Sequence, residues 1–396
     1  MIDRSQLWTG PHNRPLDVAG PIGLYDTTLR DGEQTVGVVL DPQQKLEIAQ
    51  ALDALGIDRI EAGFPRVSVD DAEAIRLIMA AGLNAEVWGF SRAVPADVEA
   101  LVDLGVSATV IESPVSDGKL AAYGLSRDEV ERRVVAAVRA AREAGIRVAF
   151  FGVDGSRADL DFLERIYRSS VEAGAEEVVV VDTIGAATPE TVELLVSSAR
   201  GWVGPEVPVH FHGHDDFGVA TAAAVAAVRA GASWIHGTIN GMGERAGNAN
   251  LLEVALALEG LYGVATNLRL ERARETAALV RRLSGYTLEP WRPLVGENLF
   301  VRESGAVASQ FHDPPAIEPY AAALVGAERR IVLGKKSGID SIRIKCEELG
   351  IDVPEARQRE LLAEVKALGT RERRLVGDDE FREMIGAERP EEGRAG

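Results

Sequence analysis

The sequence predicts an α/β fold, namely a (β/α)8 TIM barrel followed by a smaller, mainly helical C-terminal region. Between residues 22 and 262, short apolar β-branched runs alternate with stretches in which apolar residues recur at helical spacing. Strands that alternate with helices favour a parallel sheet. Eight such units over this length fit a closed barrel better than an open, doubly wound sheet, which stays the alternative.

Each element follows from local pattern and from the residues that end it. The predicted strands are Ile22–Asp26, Arg59–Gly63, Ala85–Phe90, Ala108–Glu112, Arg147–Gly152, Glu177–Asp182, Val207–His212 and Trp234–Asn240. The predicted helices fall near 42–55, 69–81, 95–103, 126–144, 159–173, 189–200, 218–230 and 249–261. A glycine that can adopt the left-handed conformation ends most of these helices directly before the next strand: Gly56, Gly82, Gly105, Gly145, Gly174 and Gly231.

The alternation stops after about residue 265, and the remaining pattern is weaker. Helices are predicted near 268–284, 336–349, 354–368 and 378–385, whereas residues 286–320 are irregular. We therefore divide the chain into an N-terminal extension (1–20), a TIM-barrel catalytic domain (21–265), linker and helical subdomains (266–386) and a disordered tail (387–396).

Composition excludes several classes of protein. The net charge of -19 would repel phosphate backbones and anionic lipid, so we expect neither nucleic acid nor membranes as partners. The single cysteine, Cys346, cannot form an intramolecular disulfide, which is typical of a reducing compartment. No apolar run reaches the ~18 residues that a membrane span needs. We therefore expect a soluble, cytoplasmic protein.

The histidines give the strongest local signal for chemistry. Three of the six in the chain, His210, His212 and His214, lie within five residues at the end of the seventh predicted strand. In an extended segment they share one face and could bind a divalent ion, with a carboxylate such as Asp31 from the neighbouring first strand. The alternative is that they are solvated or structural histidines.

Two further charged residues follow predicted strands. Arg30 comes directly before Asp31 and could bind a substrate carboxylate or stabilise an oxyanion, although an arginine at a strand end is often a surface ion pair. Glu61 ends an apolar strand and precedes the turn signal Gly63-Phe64-Pro65. Taken alone, Glu61 is more typical of a structural salt bridge.

Longer motifs at these strand ends carry a family resemblance. These motifs are DTTLRDGEQ at 26–34, GFP at 63–65, HGHDDFG at 212–218, NGMGERAGN at 240–248 and LVGAERRIVLGKKSG at 324–338. With them the chain resembles the isopropylmalate synthase/homocitrate synthase family of metal-dependent, Claisen-condensing barrel enzymes, over roughly residues 20–385. The resemblance implies condensation of an acyl-CoA, acetyl-CoA in the first place, with a 2-oxo acid to give a 2-alkylmalate-type product and CoA. Longer isopropylmalate synthases carry an extra C-terminal domain that senses leucine, and because this sequence stops at residue 396 we expect it to lack that domain.

The resemblance also implies roles for individual residues. Arg30 polarises the 2-oxo carbonyl, Glu61 is its acidic partner, and Thr183 contacts the substrate carboxylate. The metal ligands, for Mn, Mg or Zn, are Asp31, His212, His214 and Asn248. His210 then lies outside the ligand set, which corrects the run of three histidines taken from spacing alone.

The proton-transfer region departs from the family pattern. The family commonly has a histidine where this chain has Val307, a tyrosine where it has Ile317, and a glutamate where it has Val153. These apolar side chains cannot transfer protons. His312 and Tyr320 lie nearby in the sequence and are the candidate replacements.

Three functions therefore stay open on the sequence. The first is the acyl-CoA condensation, the second is a metal-dependent carbon–carbon lyase acting on a hydroxy acid, and the third is a non-catalytic 2-oxo-acid-binding protein. We expect a homodimer, because aromatic rings on the irregular segment 286–336 must be covered. In the resembling family this region packs on the partner's barrel.

Overall fold

The computed structural model describes residues 2–386, so the predicted tail at 387–396 lies outside the described residues. Two compact units divide this part of the chain. One contains Ile2 and Gly10–Leu288, and the other contains Asp3–Thr9 together with residues 289–386. Residues 266–288, which we assigned to the linker, lie in the first unit.

The first unit is a closed barrel of eight parallel strands in sequential order, which confirms the predicted TIM barrel. Every strand pairs with the next, and the first pairs with the eighth. The strands are β1 (Gly23–Asp26), β2 (Arg59–Glu61), β3 (Glu86–Arg92), β4 (Ala108–Pro114), β5 (Arg147–Val153), β6 (Glu177–Asp182), β7 (Val209–Gly213) and β8 (Trp234–Gly237).

Helices surround the barrel, and seven of these ten begin where a side chain caps the free N–H groups of the first turn. They are α1 (Pro42–Leu55), α2 (Val69–Ala80), α3 (Pro95–Asp103), α4 (Asp117–Tyr123), α5 (Arg127–Glu143), α6 (Leu160–Ala173), α7 (Pro189–Val203), α8 (Ala220–Arg229), α9 (Leu251–Tyr262) and α10 (Ala273–Ser284). The capping side chains come from Asp41, Ser68, Ser116, Ser126, Asp159, Thr188 and Asn250. All six glycines predicted to end helices have positive φ.

Several predicted bounds shift by a few residues, and two differences change an element. The predicted helix at 126–144 is preceded by a separate short helix, α4, which Ser116 caps and Gly124 ends. The eighth strand stops at Gly237 rather than at Asn240. A 3-10 turn at Ile239–Gly241 replaces its end, because Asn240 adopts a left-handed conformation that a strand cannot contain.

The second unit is mainly helical, as predicted. Its helices are α11 (Gly305–Ala308), α12 (Ile339–Glu348), α13 (Glu355–Glu372) and α14 (Asp378–Ile385). Two short parallel strands, β9 (Val301–Arg302) and β10 (Arg330–Ile331), pair beside them. Residues buried in its core include Phe311, Leu333, Ile342 and Phe381. Among the described residues, no helix is both long enough and apolar enough to cross a bilayer.

Candidate active site and metal centre

The carboxyl ends of the barrel strands bring together an aspartate and two histidines. Asp31 follows β1, His212 lies in β7 and His214 follows β7, and all three side chains are buried. Asp31 Oδ2 lies 3.3 Å from His212 Nε2 and 3.7 Å from His214 Nε2. One donor atom from each residue falls within 4.8 Å of the others, a spacing that could hold one metal ion.

Unpaired donor atoms show that this group fits a cation. Within the described residues, Oδ1 of Asp31, Nδ1 of His212, Nδ1 of His214 and Oδ1 of Asn248 are buried without a hydrogen-bond partner. Buried polar atoms are almost always paired, so an unpaired atom on each of these four residues indicates a missing ligand. Imidazole nitrogens with carboxylate and amide oxygens are suitable ligands for a divalent cation.

The protonation states also suit a metal. Burial lowers the pKa of His214 to about 4, so its imidazole is neutral and can donate a lone pair at neutral pH. Burial opposes ionisation of Asp31, but Arg30 and His212 hold the pKa of Asp31 well below its usual range. The centre therefore offers one carboxylate charge and a neutral imidazole from His214.

Tight turns fix the positions of these ligands. The Asn248 Nδ2 amide donates to the Met242 carbonyl at 3.0 Å, and Oδ1 has no hydrogen-bond partner within the described residues. A Cβ on Gly243 would lie 2.3 Å from Asn248 Nδ2, and one on Gly247 would lie 1.8 Å from the Gly241 carbonyl. Both glycines have positive φ, so this loop closes on Asn248 only with glycine at these positions.

Arg30 is held next to the cluster with part of its guanidinium free. Its Nε donates to Glu61, and its Nη1 lies 3.3 Å from Asp31 Oδ2. The guanidinium stacks 4.2 Å above the centre of the Phe90 ring. Nη2 is buried and has no hydrogen-bond partner within the described residues. The structure thus presents one unused N–H group beside the candidate metal centre.

Glu61 is paired by two donors, of which the sequence indicated only Arg30. The Tyr25 hydroxyl donates to Glu61 Oε2 at 2.9 Å, and the tyrosine ring stacks on His236 at 4.0 Å between centroids. Burial raises the pKa of Tyr25 well above its ordinary value, so it stays a donor. The sequence contained only one indication of Tyr25, namely a side chain with a hydroxyl group directly before the motif that begins at Asp26.

Thr183 lies directly after β6, where the sequence placed it. Its hydroxyl oxygen accepts the Asp154 backbone N–H at 2.8 Å, which leaves the hydroxyl proton to be donated. The Thr183 carbonyl accepts from Arg245 Nη2 at 2.7 Å. The residue is therefore fixed in position and retains one donor.

His210 takes part in a different network, deeper in the barrel. Its Nε2 lies 2.6 Å from Glu177 Oε2, and its Nδ1 lies 2.9 Å from His236 Nε2. Arg59 forms two hydrogen bonds to Glu177, at 2.6 and 3.0 Å. The spacing argument that grouped three histidines was thus wrong about His210. Residues two apart on a strand share one face but lie about 6.6 Å apart along it, so His210 lies deeper in the barrel than His212.

The remaining predicted residues lie in the second unit. His312 is exposed, and its Nε2 lies 4.0 Å from Glu347 Oε2. The half-buried Tyr320 packs edge-on against Phe300, with ring centroids 5.8 Å apart, and its backbone bridges to Leu7. Their predicted acid–base roles stay predictions.

Comparison with known proteins identifies the family. The family model described as HMGL-like matches residues 21–280, and the model described as homocitrate synthase post-HMGL domain-like matches residues 294–373. The chain is 43% identical over 374 residues to a homocitrate synthase of Methanopyrus kandleri, which covers 94% of each chain. It is 40% identical over 373 residues to a 2-isopropylmalate synthase of Methanocaldococcus jannaschii, covering 92% of this chain and 71% of that one. This chain belongs to the isopropylmalate synthase/homocitrate synthase family.

Membership in this family confirms the resemblance drawn from the strand-end motifs, and it makes the protein an enzyme of the acyltransferase kind. Among solved structures, the chain is similar to a Bacillus subtilis HMG-CoA lyase with a TM-score of 0.63. The two are 20% identical, and the match covers 69% of this chain and 96% of that one. At this identity the likeness shows the barrel fold alone.

Proposed function

We propose that the enzyme condenses an acyl-CoA, acetyl-CoA first, with a 2-oxo acid and water to give a 2-alkylmalate and CoA. One observation carries the proposal. The buried donors of Asp31, His212 and His214 are spaced to hold one metal ion, and Asn248 bridges to His214. Arg30 lies next to this group, with Nη1 3.3 Å from Asp31 Oδ2 and with Nη2 unpaired. A 2-oxo acid carries a carboxylate oxygen and a ketone oxygen on adjacent carbons. Both can bind one cation, and a neighbouring N–H group can donate to the ketone oxygen.

The chain's own residues supply orientation and charge stabilisation. A divalent cation at this centre would supply Lewis-acid polarisation of the ketone. Arg30 Nη2 donates to the oxygen on which negative charge develops, and Glu61 keeps the guanidinium in that orientation. In this proposal, the Thr183 hydroxyl donates its proton to the substrate carboxylate. The thioester of the condensed product is then hydrolysed by water, which releases CoA.

The second unit favours the synthase over the lyase. Residues 294–373 match a domain described from homocitrate synthases, and the two relatives described above, which match over 92–94% of this chain, are synthases. The identities of the 2-oxo acid, the acyl group and the metal are left to experiment. We also propose that the active form is a homodimer in which residues 286–336 pack on the partner's barrel.

Thiol release tests the proposed reaction. The enzyme is assayed for free CoA with a panel of acyl-CoAs and 2-oxo acids, each with Mg, Mn or Zn, and products are identified by mass spectrometry. We expect thiol release that requires both substrates and is abolished by a chelator. The opposite result, pyruvate or glyoxylate release from a hydroxy acid without a thioester, would establish the lyase instead.

A pair of arginine variants locates the activity. Arg30→Lys keeps the charge but loses the fork that reaches both Glu61 and the substrate, so we expect kcat to fall at least a hundredfold. Arg127→Lys is the matched control, because Arg127 forms exposed ion pairs with Asp117 and Asp159 and, like Arg30, lies over a phenylalanine ring, that of Phe162. Equal activity in the two variants would contradict the assignment of Arg30.

A further inference from the structure

A glutamate on β4 points into the same end of the barrel as the candidate metal centre. Glu112 pairs in register with Arg92 on β3 and with Phe151 on β5. Ala108 and Val110 of β4 belong to the apolar cluster inside the barrel. Because strand side chains alternate, Glu112 is the next inward-facing residue after them.

The neighbours of Glu112 connect it to both halves of the site. On one side, the Phe151 ring packs edge-on against His212, with centroids 5.0 Å apart. On the other side, Arg30 lies over the ring of Phe90 on β3. Phe90 pairs with Val110, which is the inward-facing residue of β4 directly before Glu112. Arg30 and Glu112 also act on each other electrostatically, since each shifts the pKa of the other.

Glu112 lines a cavity of about 390 Å³ at the barrel mouth. Its other lining combines apolar side chains, among them Val94, Leu125 and Val153, with two arginines, Arg92 and Arg133. A cavity of this size is at the lower end of those that hold small-molecule ligands. Its apolar side chains suit the acyl end of a thioester, and the Glu112 carboxylate lies in the same cavity.

The Glu112 carboxylate is available for chemistry. It forms no hydrogen bond within the described residues, and its charged neighbours are Arg30, Arg92, Glu61 and Lys119. Apart from Asp31, which belongs to the candidate metal centre, the buried carboxylates near this end are already paired. These are Asp26 with Thr28, Glu61 with Tyr25 and Arg30, Asp154 with Ser116 and Arg157, and Asp182 with Ser156, Ala186 and Ala187.

The electrostatics support a proton-transfer role. Burial raises the pKa of Glu112 above its ordinary value, Arg30, Arg92 and Lys119 act in the opposite direction, and Glu61 adds to the rise. A carboxylate with a raised pKa is a stronger base than one in water, and its pKa lies closer to the neutral pH at which a general base works best.

We propose, building on the condensation proposed above, that Glu112 is the catalytic base that removes a proton from the α-carbon of the acyl thioester. The C–H bond breaks, the proton passes to the Glu112 carboxylate, and the electron pair forms the enolate. The enolate carbon bonds to the ketone carbon of the 2-oxo acid, and the carbonyl π pair becomes an alkoxide next to Arg30. That alkoxide takes up one proton, and Glu112 returns its proton to solvent.

Glu112→Gln tests the role, because glutamine keeps the shape but cannot accept the proton. We expect kcat to fall about 10²- to 10⁴-fold, with metal content and the Kd of the 2-oxo acid within twofold of wild type. The deuterium isotope effect on kcat/KM with acetyl-CoA labelled in its methyl group should rise, and Glu112→Asp should retain part of the activity. Glu99→Gln, the same change at an exposed residue of α3, should alter none of these.

Stability separates a catalytic from a structural role. A carboxyl group whose pKa is raised on folding destabilises the protein once the pH exceeds its unfolded value. Glu112→Gln should therefore be more stable than wild type at neutral pH, and the difference should vanish below about pH 4. A loss of stability at neutral pH would indicate a structural residue and overturn the proposal.

Two outcomes distinguish failure of this role from failure of the function. If the wild type releases CoA and Glu112→Gln keeps kcat within threefold with an unchanged isotope effect, the assignment of Glu112 is wrong and the condensation stands. If His312→Gln, rather than Glu112→Gln, raises the isotope effect, the assignment is also wrong. If the wild type releases no CoA with any substrate pair, the condensation itself is refuted, and the role of Glu112 falls with it.

Discussion

Replacing Tyr25 with phenylalanine removes a single buried hydrogen bond at the active site. The Tyr25 hydroxyl donates to Glu61 Oε2 at 2.9 Å, and phenylalanine keeps the ring that stacks on His236 and meets Trp88. The ring contacts therefore remain in Tyr25→Phe, and the only direct loss is the hydrogen-bond donor to one buried oxygen of Glu61. Arg30 then depends on a carboxylate that is less firmly held.

The magnitude follows from the charge of the acceptor. A hydrogen bond to a charged group contributes about 1.5–3 kcal/mol, so Tyr25→Phe should lower the free energy of unfolding by that amount. If the same interaction orients Arg30 in the transition state, kcat/KM should fall about ten- to hundredfold. Metal content should not change, since Tyr25 is not among the proposed ligands.

Tyr167→Phe is the matched control. Its hydroxyl is equally buried and donates to the Val179 carbonyl at 2.8 Å, between helix α6 and strand β6. An uncharged acceptor predicts a smaller loss of stability, about 0.5–1.5 kcal/mol, and no change in catalysis. Urea unfolding at fixed metal concentration and CoA-release kinetics measure both effects. If Tyr25→Phe keeps kcat/KM within twofold and costs no more stability than Tyr167→Phe, the reasoning about Glu61 is refuted.

Three further predictions concern the metal, pH and assembly. His212→Ala and His214→Ala should each lose metal by elemental analysis while His210→Ala keeps it, and equal loss in all three would overturn the ligand set. Burial opposes the charge of Glu177, but His210 and Arg59 hold its pKa at about 2 rather than the ordinary 4.5. This pairing should contribute about 3 kcal/mol that is complete above pH 4.5 and lost as the pH falls toward 2, and Glu177→Gln should flatten that part of the unfolding profile. The enzyme should sediment as a dimer at micromolar concentration, and a fully active monomer would contradict the proposed assembly.

The sequence by itself determined most of the fold and the centre of the site. The spacing of apolar residues and the helix-ending glycines, such as Gly56 and Gly174, are local signals. They therefore predicted the bounds of the eight strands and of most helices to within a few residues of the observed bounds. Strand-end motifs then indicated Asp31, His212 and Arg30, which the closed barrel brings within a few ångströms of one another. These residues could be predicted because the carboxyl ends of parallel strands meet at one end of a barrel.

Only the tertiary structure decided how deep each side chain lies and what pairs with it. His210 and His212 are indistinguishable by spacing, yet one meets Glu177 deep in the barrel and the other meets Asp31 at its mouth. Tyr25 and Glu112 gained their importance from register between strands that are distant in sequence, which no local period encodes. Depth and register depend on strand tilt and barrel closure, and these are set by the packing of the whole barrel rather than by any one segment.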